Sequence, residues 1–203
     1  MRKILIIAIA LVAVCLQGCI VKSVYPFFKE EDVVYRKEFV GSWLDEDKNR
    51  WEIHQNVYKL NSYELHCAKN GREAALLGHL FTINGSLYLD IMPIADNSEE
   101  LLVFDLHMVP THSIAKVELR GNDEINIRWF NEEWLREMFV QNKIRISHEM
   151  IMDARPKSNE DGMYLLTATT DELQKFIAKY GGSEEAFKKG DSEMKLDLRR
   201  TGP

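Results

Sequence analysis

The side chains in this sequence best suited to chemistry are its histidines, and what each could do depends on its neighbours. His79 lies in an apolar run, sharing a face with Leu77 and Phe81. Counting outward from Asn84-Gly85 sets Ile83 opposite Ser86, Phe81 opposite Tyr88 and His79 opposite Asp90. An imidazole beside a carboxylate is a metal ligand, a general base or a buried pair that satisfies itself. With no third ligand at diagnostic spacing, the self-satisfying pair is the preferred reading, and no metal or cofactor is expected. His107 and His112 flank Pro110. His66 precedes Cys67 near a strand end, and successive strand residues point to opposite faces, so the two make no ready dyad. Cys67 is expected to be an inert, partly buried thiol. Trp43, Trp51, Trp129 and Trp134 read as core before they read as a stacking platform for sugars. His-Glu-x-x-His, Gly-x-Ser-x-Gly, a Walker-type glycine loop and Cys-x-x-Cys are all absent. No catalytic residue is therefore expected, and the candidate ligand-binding set is Trp43, His79, Phe81, Tyr88 and Asp90.

The elements that position these residues are short runs of period two. Candidate strands are Val40–Leu44, Trp51–Gln55, Tyr58–Leu65, Ala74–Ile83, Ser86–Ile91, Leu102–Met108, Ser113–Leu119 and Glu124–Trp129. Turn-forming clusters separate them, and Asn84-Gly85 is a strong type I′ hairpin signal. Eight antiparallel strands suffice to close a small barrel, with a filled core or room for one small ligand. Asn131 then caps a helix whose stripe is Trp134, Leu135, Met138 and Phe139. Thr169 and Glu172 form a capping box for a second helix, Thr170–Tyr180, with Leu173, Phe176, Ile177 and Tyr180 on one face. His148–Met152 and Met163–Thr167 read as a hairpin between the helices, around the polar loop Ala154–Gly162. Met194, Leu196 and Leu198 alternate with charges and predict an edge strand at the C-terminus. The expected fold is mainly β: an antiparallel barrel of about eight strands, two C-terminal helices and a small hairpin.

At the N-terminus, Arg2 and Lys3 precede an unbroken apolar run, Ile4–Leu16, followed by Gln17-Gly18-Cys19. Thirteen residues span roughly 20 Å as a helix, short for a bilayer span and right for a signal-peptide core. Leu16-Gln17-Gly18-Cys19 resembles a bacterial lipobox. That resemblance implies removal of residues 1–18, lipidation of Cys19 and attachment to the membrane through the N-terminal lipid. Cys15 would leave with the leader and Cys19 be consumed, so Cys67 would have no partner for a disulfide. Ile20 in place of Asp favours the outer membrane, on its periplasmic face or at the surface, over the inner one.

Residues 19–38 are expected to be a lipidated tether with an apolar knot, Val24-Tyr25-Pro26-Phe27-Phe28, that packs on the domain or lies at the bilayer surface, residues 39–142 the barrel and following helix, and 143–203 an α/β extension packed on the barrel. Gly41-x-Trp43 at the first strand, followed by about eight strands and a helix, resembles a lipocalin-type barrel. Cys19, Ser23, Pro26-Phe27 and Val40-Gly41-Ser42-Trp43 together are similar to a family of uncharacterised bacterial lipoproteins. The resemblance implies Gly41 at the turn into the barrel and Trp43 as a plug at its closed end. The formal charge of −6, or −8 without Arg2 and Lys3, together with the lack of a basic cluster argues against nucleic acid as a partner. The functional expectation is a non-enzymatic lipoprotein of the cell envelope that binds a small apolar or amphipathic ligand. Two alternatives stay open: an envelope protein partner met through acidic surface or sheet edges, and a metal-dependent hydrolase built on the histidines.

Overall fold

The computed structural model describes residues 20–69, 72–94, 109–152, 162–187 and 194–201. The leader, Cys19, the candidate strand Leu102–Met108 with His107, and nearly all of the polar loop 154–162 lie outside them.

Eight strands close a barrel. β2 (Gly41–Leu44), β3 (Arg50–Gln55), β4 (Tyr63–Lys69), β5 (Arg72–Ile83), β6 (Ser86–Pro93), β7 (His112–Arg120) and β8 (Glu124–Trp129) each pair antiparallel with the next. The eighth staves the gap from the other end of the chain. β11 (Lys195–Arg200) pairs with β8 on one side, Leu196 opposite Ile127, and with β2 on the other, Arg200 opposite Trp43. The expectation of an edge strand here is corrected, because both of its edges are taken. The boundary at residue 143 is corrected with it, since a stave of the barrel comes from the segment assigned to the extension. Unpaired edges on β2 and β8 would expose two rows of backbone donors and acceptors, and the alternating apolar pattern of Leu196 and Leu198 lets one strand satisfy both.

The strand expected at Tyr58–Leu65 starts at Tyr63. Asn56 intervenes: its Oδ1 accepts the Tyr58 and Lys59 amides at 2.7 and 2.9 Å, and Asn61 takes a positive φ of 56°. These bonds bend residues 57–60 into a turn that leaves Val57, Tyr58 and Leu60 more than 80 % exposed. The Asn84-Gly85 turn is as expected, with φ of 50° and 76°, both positive as a type I′ turn requires.

The residues expected as a tether are part of the fold. β1 (Lys22–Ser23) pairs antiparallel with β7 and parallel with β10 (Gly162–Leu166), which in turn pairs with β9 (His148–Met152). Val21, Ser23, Phe27 and Phe28 are buried. Two turns of 3₁₀ helix, Glu30–Asp32 and Lys37–Phe39, carry the chain to β2. Helix α1 (Glu132–Val140) is capped by Asn131, which accepts the Glu133 and Trp134 amides at 3.0 and 3.2 Å. Helix α2 (Thr170–Tyr180) has the full capping box between Thr169 and Glu172, and a short α3 (Glu184–Phe187) follows it.

Period-two alternation divides the apolar residues between two cores. Phe39, Trp43, Ile53, Tyr63, Leu80, Leu89, Ile127 and Leu198 are among those that fill the barrel. Phe81, Tyr88 and Ile114 point the other way and meet Phe27, Phe28, Leu135, Leu173, Phe176 and Ile177 from the N-terminal segment and the helices. At the end of the barrel the Arg200 guanidinium lies 4.1 Å from the Trp43 ring centre and donates to the carbonyls of Val40 and Glu38 at 3.1 and 2.9 Å. Gly41 sits against it with φ of 146°, where a Cβ would be strained and would run into the guanidinium.

Two outcomes test this arrangement. A stop codon ahead of Lys195 leaves both flanking strands unpaired, and the truncated chain should lose its cooperative thermal transition by circular dichroism; a transition retained near that of the intact chain would show the barrel closed without β11. Trp43→Ala should cost about 3–5 kcal/mol in urea unfolding, as for other buried aromatic truncations, whereas a midpoint close to that of the unaltered protein would mean Trp43 does not hold the core.

Candidate functional site

On the outer wall of the barrel, β5, β6 and β7 bring together His79, Asp90 and His112. The register is the one counted from the Asn-Gly turn, His79 opposite Asp90 and Phe81 opposite Tyr88. The expected His79–Asp90 hydrogen bond is nevertheless not made. Asp90, fully buried, turns to the next strand, where its Oδ1 is 2.7 Å from Nδ1 of His112 and its Oδ2 accepts the Phe27 amide at 2.8 Å. The directly opposed partner of Asp90 on β7 is Ile114, so His112 reaches it on the diagonal. A carboxylate has no proton to donate, so Nδ1 of His112 carries the hydrogen, and Nε2 remains as its other hydrogen-bonding atom. This buried charge is thus held by two donors, one from a side chain and one from the N-terminal segment.

His79 has no such partner. Its ring is 1 % exposed, neither nitrogen has a hydrogen-bond partner, and Phe28 stacks on it with ring centres 4.2 Å apart. Burial, with Lys59 and His112 nearby, pushes its pKa down to about 4, so the ring is neutral at pH 7, with one N–H and one lone pair. His79 and His112 line a cleft of about 510 Å³ together with Pro26, Phe28, Lys29, Glu30, Glu31, Lys59 and Met92. Lys59 Nζ lies 5.4 Å from the Phe28 ring centre and 3.7 Å from a Glu30 carboxylate oxygen. Lys29 is tied to Asp171 at 2.6 Å.

The five residues expected to bind a ligand fall in four places. Trp43 is inside the barrel. Phe81 and Tyr88 are sealed in the second core, where Tyr88 lies 5.7 Å from the Phe81 ring and 5.6 Å from that of Phe187. His79 forms part of the cleft, and Asp90 lies behind His112. Phe28, Lys59 and Met92 escape sequence reasoning; the apolar knot around Pro26 is the one sequence signal for Phe28. Cys67 is a half-buried free thiol whose pKa burial pushes up, which lowers its thiolate fraction. Among the described residues no three His, Cys, Asp or Glu side chains converge as a metal site.

Comparison with protein-family models, with curated proteins and with solved structures found no match.

The neutrality of His79 has a measurable consequence. Its folded pKa lies below the ordinary 6.5, so the unfolded chain takes up a proton first as pH falls, and the native state loses stability between pH 6.5 and about 4. In urea melts this loss should exceed that of His79→Phe by on the order of 3 kcal/mol, since each tenfold drop in proton affinity is worth ~1.4 kcal/mol. Parallel profiles for the two proteins would mean that native His79 takes up its proton as readily as it does in the unfolded chain.

Proposed function

We propose that this chain is a non-enzymatic lipoprotein of the bacterial cell envelope, attached through Cys19, that holds a small apolar or amphipathic molecule in the cleft beside His79. The observation that carries the ligand reading is His79 itself. A buried imidazole with two unmade hydrogen bonds costs about 1–3 kcal/mol for each group left unsatisfied, a cost that a bound molecule at that position would offset. The cleft adds an apolar wall, Phe28 and Met92, and a volume in the range of small-molecule sites. The support for a non-enzymatic role is the make-up of that wall. His112 is oriented by Asp90 as a general base would be, yet among the described residues that line the cleft there is no Ser, Thr or Cys for it to activate.

The envelope reading rests on the sequence, through the apolar run Ile4–Leu16 and the Leu16-Gln17-Gly18-Cys19 motif. Lipid attached at Cys19 holds a protein at a membrane through about 0.8 kcal/mol per buried CH₂. The outer membrane is the favoured address, given Ile20 rather than Asp after the cysteine. The alternative of a protein partner has its own support in two surfaces. Val57, Tyr58 and Leu60 project from the β3–β4 turn, and Met150, Ile151 and Met152 are exposed on β9, which among the described strands pairs only with β10.

Cys19→Ser should abolish incorporation of labelled palmitate and move the protein out of the membrane fraction. Retention of the variant in carbonate-washed membranes would show that Ile4–Leu16 remains as an uncleaved anchor, and the lipoprotein reading would be lost.

A further inference from the structure

We propose that the molecule held in the cleft is an uncharged amphiphile with a hydroxyl head, which bridges His79 and His112 while its apolar stem lies along Phe28 and Met92. This rests on the reading of the cleft as a ligand site and adds the chemistry of the ligand.

The lysines that face the cleft are already matched. Lys29 has Asp171 at 2.6 Å and Lys59 has Glu30 at 3.7 Å. Glu31 adds a negative group beside Lys29. A carboxylate or phosphate head would meet Glu30 and Glu31, with no unpaired lysine to receive it. An ammonium head would meet Lys29 and Lys59, and Glu31 is the one group it could pair with.

The unmet demand is for hydrogen bonds. Asp90 takes Nδ1 of His112, leaving Nε2 as the ring atom free to meet a ligand. His79 offers one N–H and one lone pair, both without partners. A hydroxyl is the smallest group that accepts from one imidazole and donates to another. Placed between the rings, it completes an ordered run from the Asp90 carboxylate through His112 and the hydroxyl to His79. The His79 nitrogens are covered in this structure, with Phe28 stacked on the ring. Binding therefore includes a movement of the Phe28 side chain, which then lies against the stem.

The test uses the full-length chain, labelled with ¹⁵N-histidine and reconstituted in lipid nanodiscs, titrated in turn with 1-octanol, octanoate, octylammonium and octane. The expected result is that 1-octanol shifts the ring nitrogen resonances of both His79 and His112. It should bind at least ten-fold tighter than the other three, since a site built to hydrogen-bond a hydroxyl rejects analogues that lack it. His79→Phe, which keeps a ring and removes both nitrogens, should weaken 1-octanol at least ten-fold. Met92→Trp, which fills the cleft without altering either histidine, should abolish the shifts even if His79→Phe does not fold. Preferential binding of octanoate, octylammonium or octane with the same two histidines shifted would overturn the hydroxyl head and leave the ligand site standing. If none of the four shifts either histidine, both the site and its ligand class fall.

Discussion

Barrel closure depends on one strand from the far end of the chain. Until β11 lies between β2 and β8, the sheet has two open edges, and the interior core has a gap where Leu196 and Leu198 belong. The same strand carries Arg200, whose guanidinium covers the Trp43 ring and reaches the carbonyls of Glu38 and Val40 at the entry to β2. A third bond, from Arg200 Nε to the Asn122 carbonyl, ties in the β7–β8 turn. One cation thus joins the first and last staves and the turn between two others. The indole gives it a π face, and the absence of a side chain at Gly41 gives it room. Contacts between residues 160 positions apart, as Val40 and Arg200 are, are slow to find, so the barrel is committed only when the whole chain is present.

The wall that closes also has two sides. On β5 and β6, Leu80 and Leu89 face the barrel interior, whereas His79, Phe81, Tyr88 and Asp90 face outward. An outward-facing apolar row demands cover, and the N-terminal segment, α1, α2 and α3 supply it. The two polar side chains sit where that cover thins: Phe81 and Tyr88 lie beneath the helices, and two residues along each strand His79 meets Phe28 and the cleft while Asp90 meets the Phe27 amide and His112. Their place on the outer wall explains how a barrel whose interior is filled by Trp43, Tyr63 and Phe39 can still offer a concave, partly polar site.

Local rules make much of this legible. Two-residue turn chemistry sets the β5–β6 register, capping side chains mark both long helices, and period-two alternation separates strands from loops. Sequence order points to Leu102–Met108 for the eighth stave because chain neighbours are the default partners in an up-and-down barrel, and nothing local distinguishes a strand paired on both sides from one at an edge. The hydrogen bond expected from His79 to Asp90 fails for a related reason. Register fixes which residues are opposite, whereas the partner a carboxylate takes depends on donors from other strands, here His112 on β7 and the Phe27 amide. The apolar knot Val24–Phe28 is visible in the sequence, but its destination depends on an outer face that exists only once the barrel is closed.

That destination bears on how anchor and cleft are related. Under the lipoprotein reading, the residues after Cys19 would ordinarily serve as a spacer between membrane and domain. Here Ile20 already bridges to Asn131, Val21 and Ser23 are buried, and β1 is paired on both edges. The chain then runs directly to the Phe27 amide, which holds Asp90, and to the Phe28 ring, which covers His79. A segment this short, hydrogen-bonded along its length, has little slack to lose. A domain anchored through it would ride close to the bilayer, and the first ordered residues after the anchor would form one wall of the cleft. An amphiphile leaving the membrane would then have a short path to Phe28, and the same segment would serve as both attachment and lining.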